Sequence, residues 1–172
     1  MPYPTSIIET SRLILMRYSV DELAAMATGD SSGRDWAADY PTEGELRLLG
    51  LGLLDAEPAH ADAPFWGPLQ VRERATGRAI GGAGFKAPPD EMNCVEIGYG
   101  LVPDARGRGY ATEAVLGLVA AAGRAGATYV SAQTLPGNAA SERVLVNAGF
   151  SIVGSDADAN YWRRDAAIVA ST

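Results

Sequence analysis

The chain has 172 residues, of which 47% are hydrophobic and 20% charged, and its formal net charge is −7. This length and composition predict one globular domain, residues 1–172, and the negative charge argues against a broad nucleic-acid surface. The single cysteine, Cys94, excludes an internal disulfide, and with the single histidine it argues against a zinc site, so we predict no metal. The chain has no apolar run that could span a membrane and no export signal, so we expect a cytoplasmic protein.

Apolar and turn patterns along the chain predict a mixed α/β protein, with helices on the faces of one sheet. The predicted strands are residues 12–17, 68–74, 78–86, 93–102, 128–134, 150–153 and 161–169. The predicted helices are residues 21–28, 43–54, 112–124 and 138–148. Thr42 and Glu45 form a capping-box pattern at the start of the second helix, and Gly149 marks the end of the fourth.

The most informative stretch is residues 106–111, Arg-Gly-Arg-Gly-Tyr-Ala, between a predicted strand and a predicted helix. Free amides at a helix N-terminus and the helix dipole favour a bound anion, and the two arginines strengthen that interpretation. The stretch lacks the lysine of a P-loop and the third glycine of a dinucleotide fingerprint. The remaining pattern, Arg-x-x-Gly-x-Ala, predicts a phosphate-containing ligand of another kind.

This turn resembles the R/Q-x-x-G-x-G/A loop with which the GNAT superfamily of N-acetyltransferases holds the pyrophosphate of acetyl-coenzyme A. Three further stretches resemble the branch of the ribosomal-protein alanine acetyltransferases, the RimJ/RimL-like enzymes. Residues 9–15 resemble the opening strand of that branch, residues 95–99 its fourth strand, and residues 138–150 its last helix and strand. The four signatures occur in the family's order.

The resemblance implies the GNAT fold, a twisted and mostly antiparallel sheet of about seven strands that splays at strands 4 and 5, with helices on both faces. It implies acetyl-CoA as cosubstrate, and direct attack of an amine on the acetyl thioester in a ternary complex. The residues that it places at the coenzyme are Leu101, Val102, Arg106, Gly107, Arg108, Gly109, Tyr110, Ala111 and Asn138. Asn138 also suits a helix N-cap.

The resemblance suggests two catalytic residues. Glu96, in the middle of a predicted strand, is the candidate base that prepares the amine through water, and a solvated or salt-bridged glutamate is the alternative. Ser141 is the candidate donor to the coenzyme sulfur, since Leu145 replaces the tyrosine that many GNAT enzymes carry four residues further on. The alternative for Ser141 is a helix-start hydroxyl that binds its own backbone.

Trp36 and Tyr40 lie between the first two predicted helices, a region that walls the acceptor site in relatives, and core packing of the helix pair is the alternative. We predict a primary amine as acceptor, either a protein N-terminal α-amine or a small molecule, with no nucleic-acid or membrane partner. A homodimer that completes the acceptor wall is left open. Leu145 also permits a non-catalytic coenzyme-binding regulatory module, and an acyltransferase that uses a longer acyl-CoA is a further alternative.

Overall fold

The computed structural model describes residues 8–54 and 66–167, which form one sheet flanked by α-helices. The strands are β1 (Ile8–Glu9), β2 (Leu13–Met16), β3 (Pro68–Glu73), β4 (Ala79–Phe85), β5 (Cys94–Leu101), β6 (Tyr129–Thr134), β7 (Ser151–Ser155) and β8 (Asn160–Asp165). The helices are α1 (Val20–Thr28), α2 (Glu43–Gly50), α3 (Tyr110–Arg124) and α4 (Ala139–Asn147), and a short 3-10 turn (Pro103–Ala105) follows β5.

The strands lie across the sheet in the order β1-β2-β3-β4-β5-β6-β8-β7. Every neighbouring pair is antiparallel except β5 and β6, which run parallel. In that parallel pair, residues 94–97 align with residues 129–132. The rest of β5 pairs with β4 alone, so β5 and β6 diverge and leave a gap between them.

The mixed α/β fold expected from the sequence is confirmed, and so is the divergence of the two central strands. The expected strands 4 and 5 are β5 and β6 here, because β1 precedes the strand that was predicted first. A strand of two residues shows no alternation, which is why the sequence pattern indicated seven strands where the sheet has eight.

Local capping chemistry sets the ends of the helices. The hydroxyl of Thr42 accepts a hydrogen bond from the amide of Glu45, and the Glu45 carboxylate accepts one from the amide of Thr42, which confirms the predicted capping box. α2 ends at Gly50, short of the predicted end, because the chain turns through Gly52 with a left-handed φ of 69°. α3 begins earlier than predicted, since Gly109, with a φ of 80°, is its N-cap.

The two faces of the sheet carry different groups. On β5, Val95 and Ile97 are buried on the side that packs against α3, whereas Glu96 projects to the opposite side because side chains alternate along a strand. We call the first side the α3 face and the second the Glu96 face. Over β3 and β4 the Glu96 face is covered by α2, where a Cβ on Gly82 would lie 3.0 Å from the side chain of Glu45.

Candidate active site

The turn at residues 106–111 joins the end of β5 to α3. Gly107 and Gly109 have left-handed φ angles of 72° and 80°, which glycine adopts without steric cost. Gly109 caps α3 without a side-chain hydrogen bond, so the first amides of the helix have no capping partner. This geometry suits an anion held by backbone amides at the positive end of the helix dipole.

The two arginines of the turn differ in their contacts. Arg106 Nε donates to the carbonyl oxygen of Leu101 at 3.0 Å, so this side chain folds back onto the end of β5. Arg108 is exposed, and its carbonyl oxygen accepts a hydrogen bond from Arg12 Nη1 at 2.9 Å. Leu101 and Val102, which precede the turn, are both buried. These contacts fix the direction in which the chain leaves β5 and enters the turn.

Arg12, which no sequence motif indicated as functional, supports the turn from β2. Its Nε donates to Glu113 Oε2 at 2.6 Å, and its guanidinium lies 4.5 Å from the ring centre of Tyr110. Glu113 Oε1 accepts hydrogen bonds from the amide of Arg12 at 2.7 Å and from the hydroxyl of Thr10 at 2.6 Å. Burial opposes the ionisation of Glu113, but these hydrogen bonds hold the pKa of its carboxyl below the ordinary value. Tyr110 donates to Glu73 at 2.6 Å, which anchors the first turn of α3 to β3.

Tyr99 and Ser141 meet where the gap opens. Ile97 and Ala132 are the last paired residues of β5 and β6, and Tyr99 follows on the α3 face. The phenol oxygen of Tyr99 lies 2.8 Å from Ser141 Oγ and 3.2 Å from the carbonyl oxygen of Ser141. Burial raises the pKa of Tyr99, and the hydrogen bond with Ser141 partly opposes that shift. Tyr99 was not predicted as a site residue, because nothing in the sequence indicates its distance from α4.

The start of α4 positions Ser141. Asn138 Oδ1 accepts a hydrogen bond from the amide of Ser141 at 3.2 Å, so Asn138 is the N-cap of the helix. The hydroxyl of Ser141 contacts Tyr99 across the α3 face. Leu145, one turn further along α4, is 0% exposed. Leu145 therefore serves core packing in this chain.

Glu96 lies on the opposite face from Ser141. Its carboxylate forms an ion pair with Lys86, and 30% of its side chain is exposed. In the sheet register, Glu96 stands opposite Ser131 of β6, and Ser131 stands opposite Arg163 of β8. A reaction that uses both Glu96 and Ser141 must therefore run through the gap between β5 and β6.

A cavity of about 220 Å³ lies on the Glu96 face over β5, β6 and β8. Its walls include Cys94, Glu96, Ser131, Gln133, Tyr161 and Arg163. Asp90, which also lines the cavity, accepts hydrogen bonds from the amides of Met92 and Cys94, each at 2.9 Å. Tyr161 donates to Asp156 at 2.6 Å, and this hydrogen bond raises the pKa of the phenol. The cavity thus combines polar side chains with the candidate base.

Trp36 and Tyr40 lie between α1 and α2 and are 8% and 7% exposed. Trp36 Nε1 donates to Glu22 at 2.7 Å, and the hydroxyl of Tyr40 donates to Glu45 at 2.7 Å. The two rings pack edge to face with their centres 5.2 Å apart. Neither residue lines the cavity over β5, β6 and β8. Their geometry favours the packing alternative, and acceptor contact by Trp36 and Tyr40 stays a prediction.

Glu22 and Glu45, the second of which is also the capping-box residue, join this pair in a polar network that is partly buried. Gln70 Nε2 donates to Glu22 at 3.0 Å and to the hydroxyl of Tyr40 at 2.9 Å, and Tyr18 donates to Glu45 at 2.8 Å. Burial raises the pKa of Glu45, although the hydrogen bond from Tyr40 opposes that shift. Burial also raises the pKa of Tyr40. The network ties α1 and α2 to β3.

Comparison with known proteins identifies the family. The acetyltransferase (GNAT) domain matches residues 12–151, and the chain belongs to the GNAT acetyltransferases. YoaA, an uncharacterized N-acetyltransferase of Bacillus subtilis (strain 168), is 27% identical over 152 residues, which are 86% of this chain and 84% of that protein. As a member of this family, the chain is an acetyl-CoA-dependent acetyltransferase.

Solved structures of the expected branch share the fold. RimL, a ribosomal L7/L12 alpha-N-protein acetyltransferase in complex with coenzyme A, has a TM-score of 0.64 at 17% identity, over 93% of this chain and 98% of that one. RimJ of Mycobacterium smegmatis, in complex with CoA-disulfide, has a TM-score of 0.63 at 17% identity, over 89% of this chain and 81% of that one. The resemblance to the RimJ/RimL branch is confirmed at the level of the fold.

In the part of the chain that the structure describes, no helix has both the length and the apolar character that a membrane crossing requires. Within residues 8–54 and 66–167, no group of three or more His, Cys, Asp and Glu side chains is arranged to hold a metal ion. Cys94, at the start of β5, is a free and half-buried cysteine.

Proposed function

We propose that this acetyltransferase moves the acetyl group from acetyl-CoA to a primary amine by direct attack in a ternary complex. The observation that carries the proposal is the gap between β5 and β6. The α3 face presents a turn with open amides at residues 106–111 and the pair of Tyr99 and Ser141. The Glu96 face presents a cavity that contains a carboxylate. Donor and acceptor can therefore approach the gap from opposite faces and meet in a reactive orientation.

The turn at residues 106–111 fits the pyrophosphate of the coenzyme. Gly107 and Gly109 leave the backbone uncovered, and the open amides of α3 provide donors for phosphate oxygens. Arg108 is exposed in the same turn and adds positive charge. The other residues that we assign to the coenzyme are Leu101, Val102, Arg106, Tyr110, Ala111 and Asn138.

Glu96 is the residue that we assign to preparing the amine. A lysine amine with a pKa near 10.4 is neutral about one time in a thousand at pH 7.4, which costs roughly 4 kcal/mol, whereas an α-amine with a pKa of about 7.7–8.0 is neutral about a quarter of the time. An α-amine therefore needs little more than one proton acceptor, reached directly or through water. An incoming ammonium competes with Lys86 for the Glu96 carboxylate, so the ion pair opens as the acceptor binds.

Ser141 and Tyr99 assist the departure of the thiolate. As the amine nitrogen bonds to the acetyl carbon, the carbon–sulfur bond breaks, and the thiolate accepts a hydrogen bond from Ser141 before it takes up the proton that the nitrogen gives up. The phenol of Tyr99 has one proton, and its shorter contact is Ser141 Oγ at 2.8 Å rather than the carbonyl oxygen at 3.2 Å. When the phenol donates its hydrogen bond to Ser141 Oγ, the serine hydroxyl can donate its own hydrogen bond into the gap. Tyr99 is thus a positioning residue that acts through Ser141.

Purified protein, acetyl-CoA and a panel of amines provide the test. The panel contains amino acids, short peptides, polyamines and aminoglycosides, and mass spectrometry detects the acetylated product. We expect acetyl-CoA to raise Tm and at least one amine to be acetylated with release of free thiol. Coenzyme binding without transfer to any amine would favour the regulatory module, and no coenzyme binding at millimolar concentration would overturn both functions.

The acyl group is tested by competition. Acetyl-CoA and succinyl-CoA at equal concentration are supplied with one accepted amine, and the two products are quantified by mass spectrometry. We expect the acetylated product to dominate. A predominance of the succinylated product would replace this proposal with an acyltransferase that prefers a longer acyl group.

A further inference from the structure

Arg163 lies in the same row of the sheet as the candidate base. On the Glu96 face, the register aligns Glu96 with Ser131 and Ser131 with Arg163. Adjacent strands are about 4.8 Å apart, so the Cα atoms of Glu96 and Arg163 are about 10 Å apart with Ser131 between them. All three residues line the cavity of about 220 Å³. A carboxylate and a guanidinium therefore mark the two ends of one row.

Among the described residues, Arg163 has no carboxylate partner. Other arginines of the chain, such as Arg12 and Arg72, form ion pairs with glutamates, and Arg163 appears in no such pair. Its exposed guanidinium lies 4.7 Å from the ring centre of Tyr129, which also lines the cavity. Stacking on the ring orients the guanidinium and leaves its N–H donors available to a ligand.

The other charged groups of the cavity already have partners. Asp90 accepts two amide hydrogen bonds in the turn before β5. Glu96 is paired with Lys86 at the other end of the row. Because the Arg163 guanidinium is not paired with a carboxylate of the described residues, a negatively charged ligand group can bind it without displacing one.

We propose that the acceptor is an amino acid, with its amine at Glu96 and its carboxylate at Arg163. This inference rests on the proposed function and narrows the class of acceptor. A guanidinium can hold a carboxylate through two parallel hydrogen bonds, and the hydroxyl of Ser131 lies between the two charged ends. The cavity of about 220 Å³ is smaller than the roughly 300–1,000 Å³ of pockets for drug-sized ligands, and it suits a molecule of this size.

Arg163 also has a chemical reason to bind the carboxylate. The carboxylate of an amino acid stabilises its own ammonium and so raises the pKa of the amine that must react. A guanidinium paired with that carboxylate offsets the effect and makes the proton easier for Glu96 to remove. The pairing of Arg163 thus serves both recognition and reactivity.

Local charges disfavour a polycationic acceptor. The net charge of −7 attracts cations at long range. Close to the ligand, however, Lys86 is paired with Glu96 and Arg163 lines the cavity, and both would repel a second positive charge on the ligand. Local pairing of this kind determines specificity more than net charge does.

The experiment compares L-amino acids with their primary amides, which keep the amine and the side chain and lack the carboxylate. Because the amide has a different amine pKa, the ratio of kcat/KM for acid over amide is compared between the wild type and variants. We expect Arg163→Met to lower that ratio about tenfold or more, as loss of a charged hydrogen-bonded pair predicts. Arg163→Lys should keep part of the preference, and Arg124→Met, at the exposed end of α3, should leave the ratio unchanged.

An unchanged ratio in Arg163→Met would overturn the inference, and so would a wild type that acetylates polyamines or peptide amides in preference to every amino acid. A binding measurement separates this failure from failure of the proposed function. Calorimetric titration of acid and amide into CoA-saturated protein should show tighter binding of the acid, lost in Arg163→Met. Tighter binding of the acid supports the inference even if no turnover is observed. If acetyl transfer occurs but acid and amide bind equally or undetectably, the inference is overturned and the proposed function stands.

Discussion

The two sides of the gap between β5 and β6 are built in different ways. On the α3 face, the turn at residues 106–111 is continuous in sequence, and glycine φ angles set the direction of its amides. On the Glu96 face, three strands that are distant in sequence contribute Glu96, Ser131 and Arg163 to one row. The turn on the α3 face therefore depends on local conformation, whereas the row on the Glu96 face depends on the register of β6 and β8.

Of the variants considered, Glu96→Gln should have the largest effect on kcat. It should change the Glu96 face of the gap and leave coenzyme binding on the α3 face intact. We expect kcat to fall by about 100-fold or more, the range for loss of a general base. The Kd for acetyl-CoA, measured by calorimetry, should stay within about twofold, since distant sites contribute independently. Lys86→Met is the control, because it keeps the carboxylate and removes its ion pair. A parallel loss of coenzyme affinity in Glu96→Gln would contradict the separation of the two sides.

Gly109→Val should break the α3 side. The φ of 80° disfavours a β-branched residue, and an added Cβ lies 3.4 Å from Arg12 Nη2. We expect acetyl-CoA affinity to fall about tenfold or more, as loss of one or two hydrogen bonds to a charged group predicts. Gly126→Val is the matched control, since Gly126 has a φ of 91° and open space around its Cβ position. The Tm of both variants should fall. An equal loss of acetyl-CoA affinity in the two variants would contradict the assignment of the turn at residues 106–111 to the coenzyme.

Tyr99→Phe should have a smaller effect that is confined to the chemical step. Loss of one hydrogen bond of about 1 kcal/mol predicts a fall in kcat of about fivefold, with the KM for acetyl-CoA unchanged. Because burial raises the pKa of Tyr99, the phenol keeps its proton into the alkaline range, and the lower kcat of Tyr99→Phe relative to the wild type should persist there. Double variants with Ser141→Ala are the sharper test, since the two losses should not add. Additive losses would show that Tyr99 does not act through Ser141.

Glu45→Gln should leave both sides of the gap intact and change only stability. Burial raises the pKa of Glu45 in the folded chain, so its contribution to stability is complete below the ordinary value of 4.5 and is lost as pH rises through the folded pKa. The free energy of unfolding, measured with urea, should therefore fall less from about pH 5 to about pH 8 in the variant than in the wild type, by on the order of 1 kcal/mol. An equal decline in wild type and variant, or a change in kcat, would contradict this assignment.

Features whose partners are close in sequence could be predicted. The capping box of Thr42 and Glu45 is present, because its hydrogen bonds lie within one helical turn. The contact of Tyr99 with Ser141 joins residues 42 apart, and the support of Arg108 by Arg12 joins residues 96 apart. Neither contact leaves a pattern in the chain, since long-range distances depend on how helices and strands pack.

The sequence by itself predicted seven of the eight strands and an anion site, because a glycine turn at a helix start binds anions through its own backbone, and the family resemblance indicated the donor. Only the tertiary structure decided which side chains share the Glu96 face of the sheet. Strand order and register place Arg163 beside Ser131 and Ser131 beside Glu96, while Trp36 and Tyr40 are buried in a network between α1 and α2. Register arises from packing across the whole sheet, and a shift of one residue would turn every side chain of a strand to the opposite face.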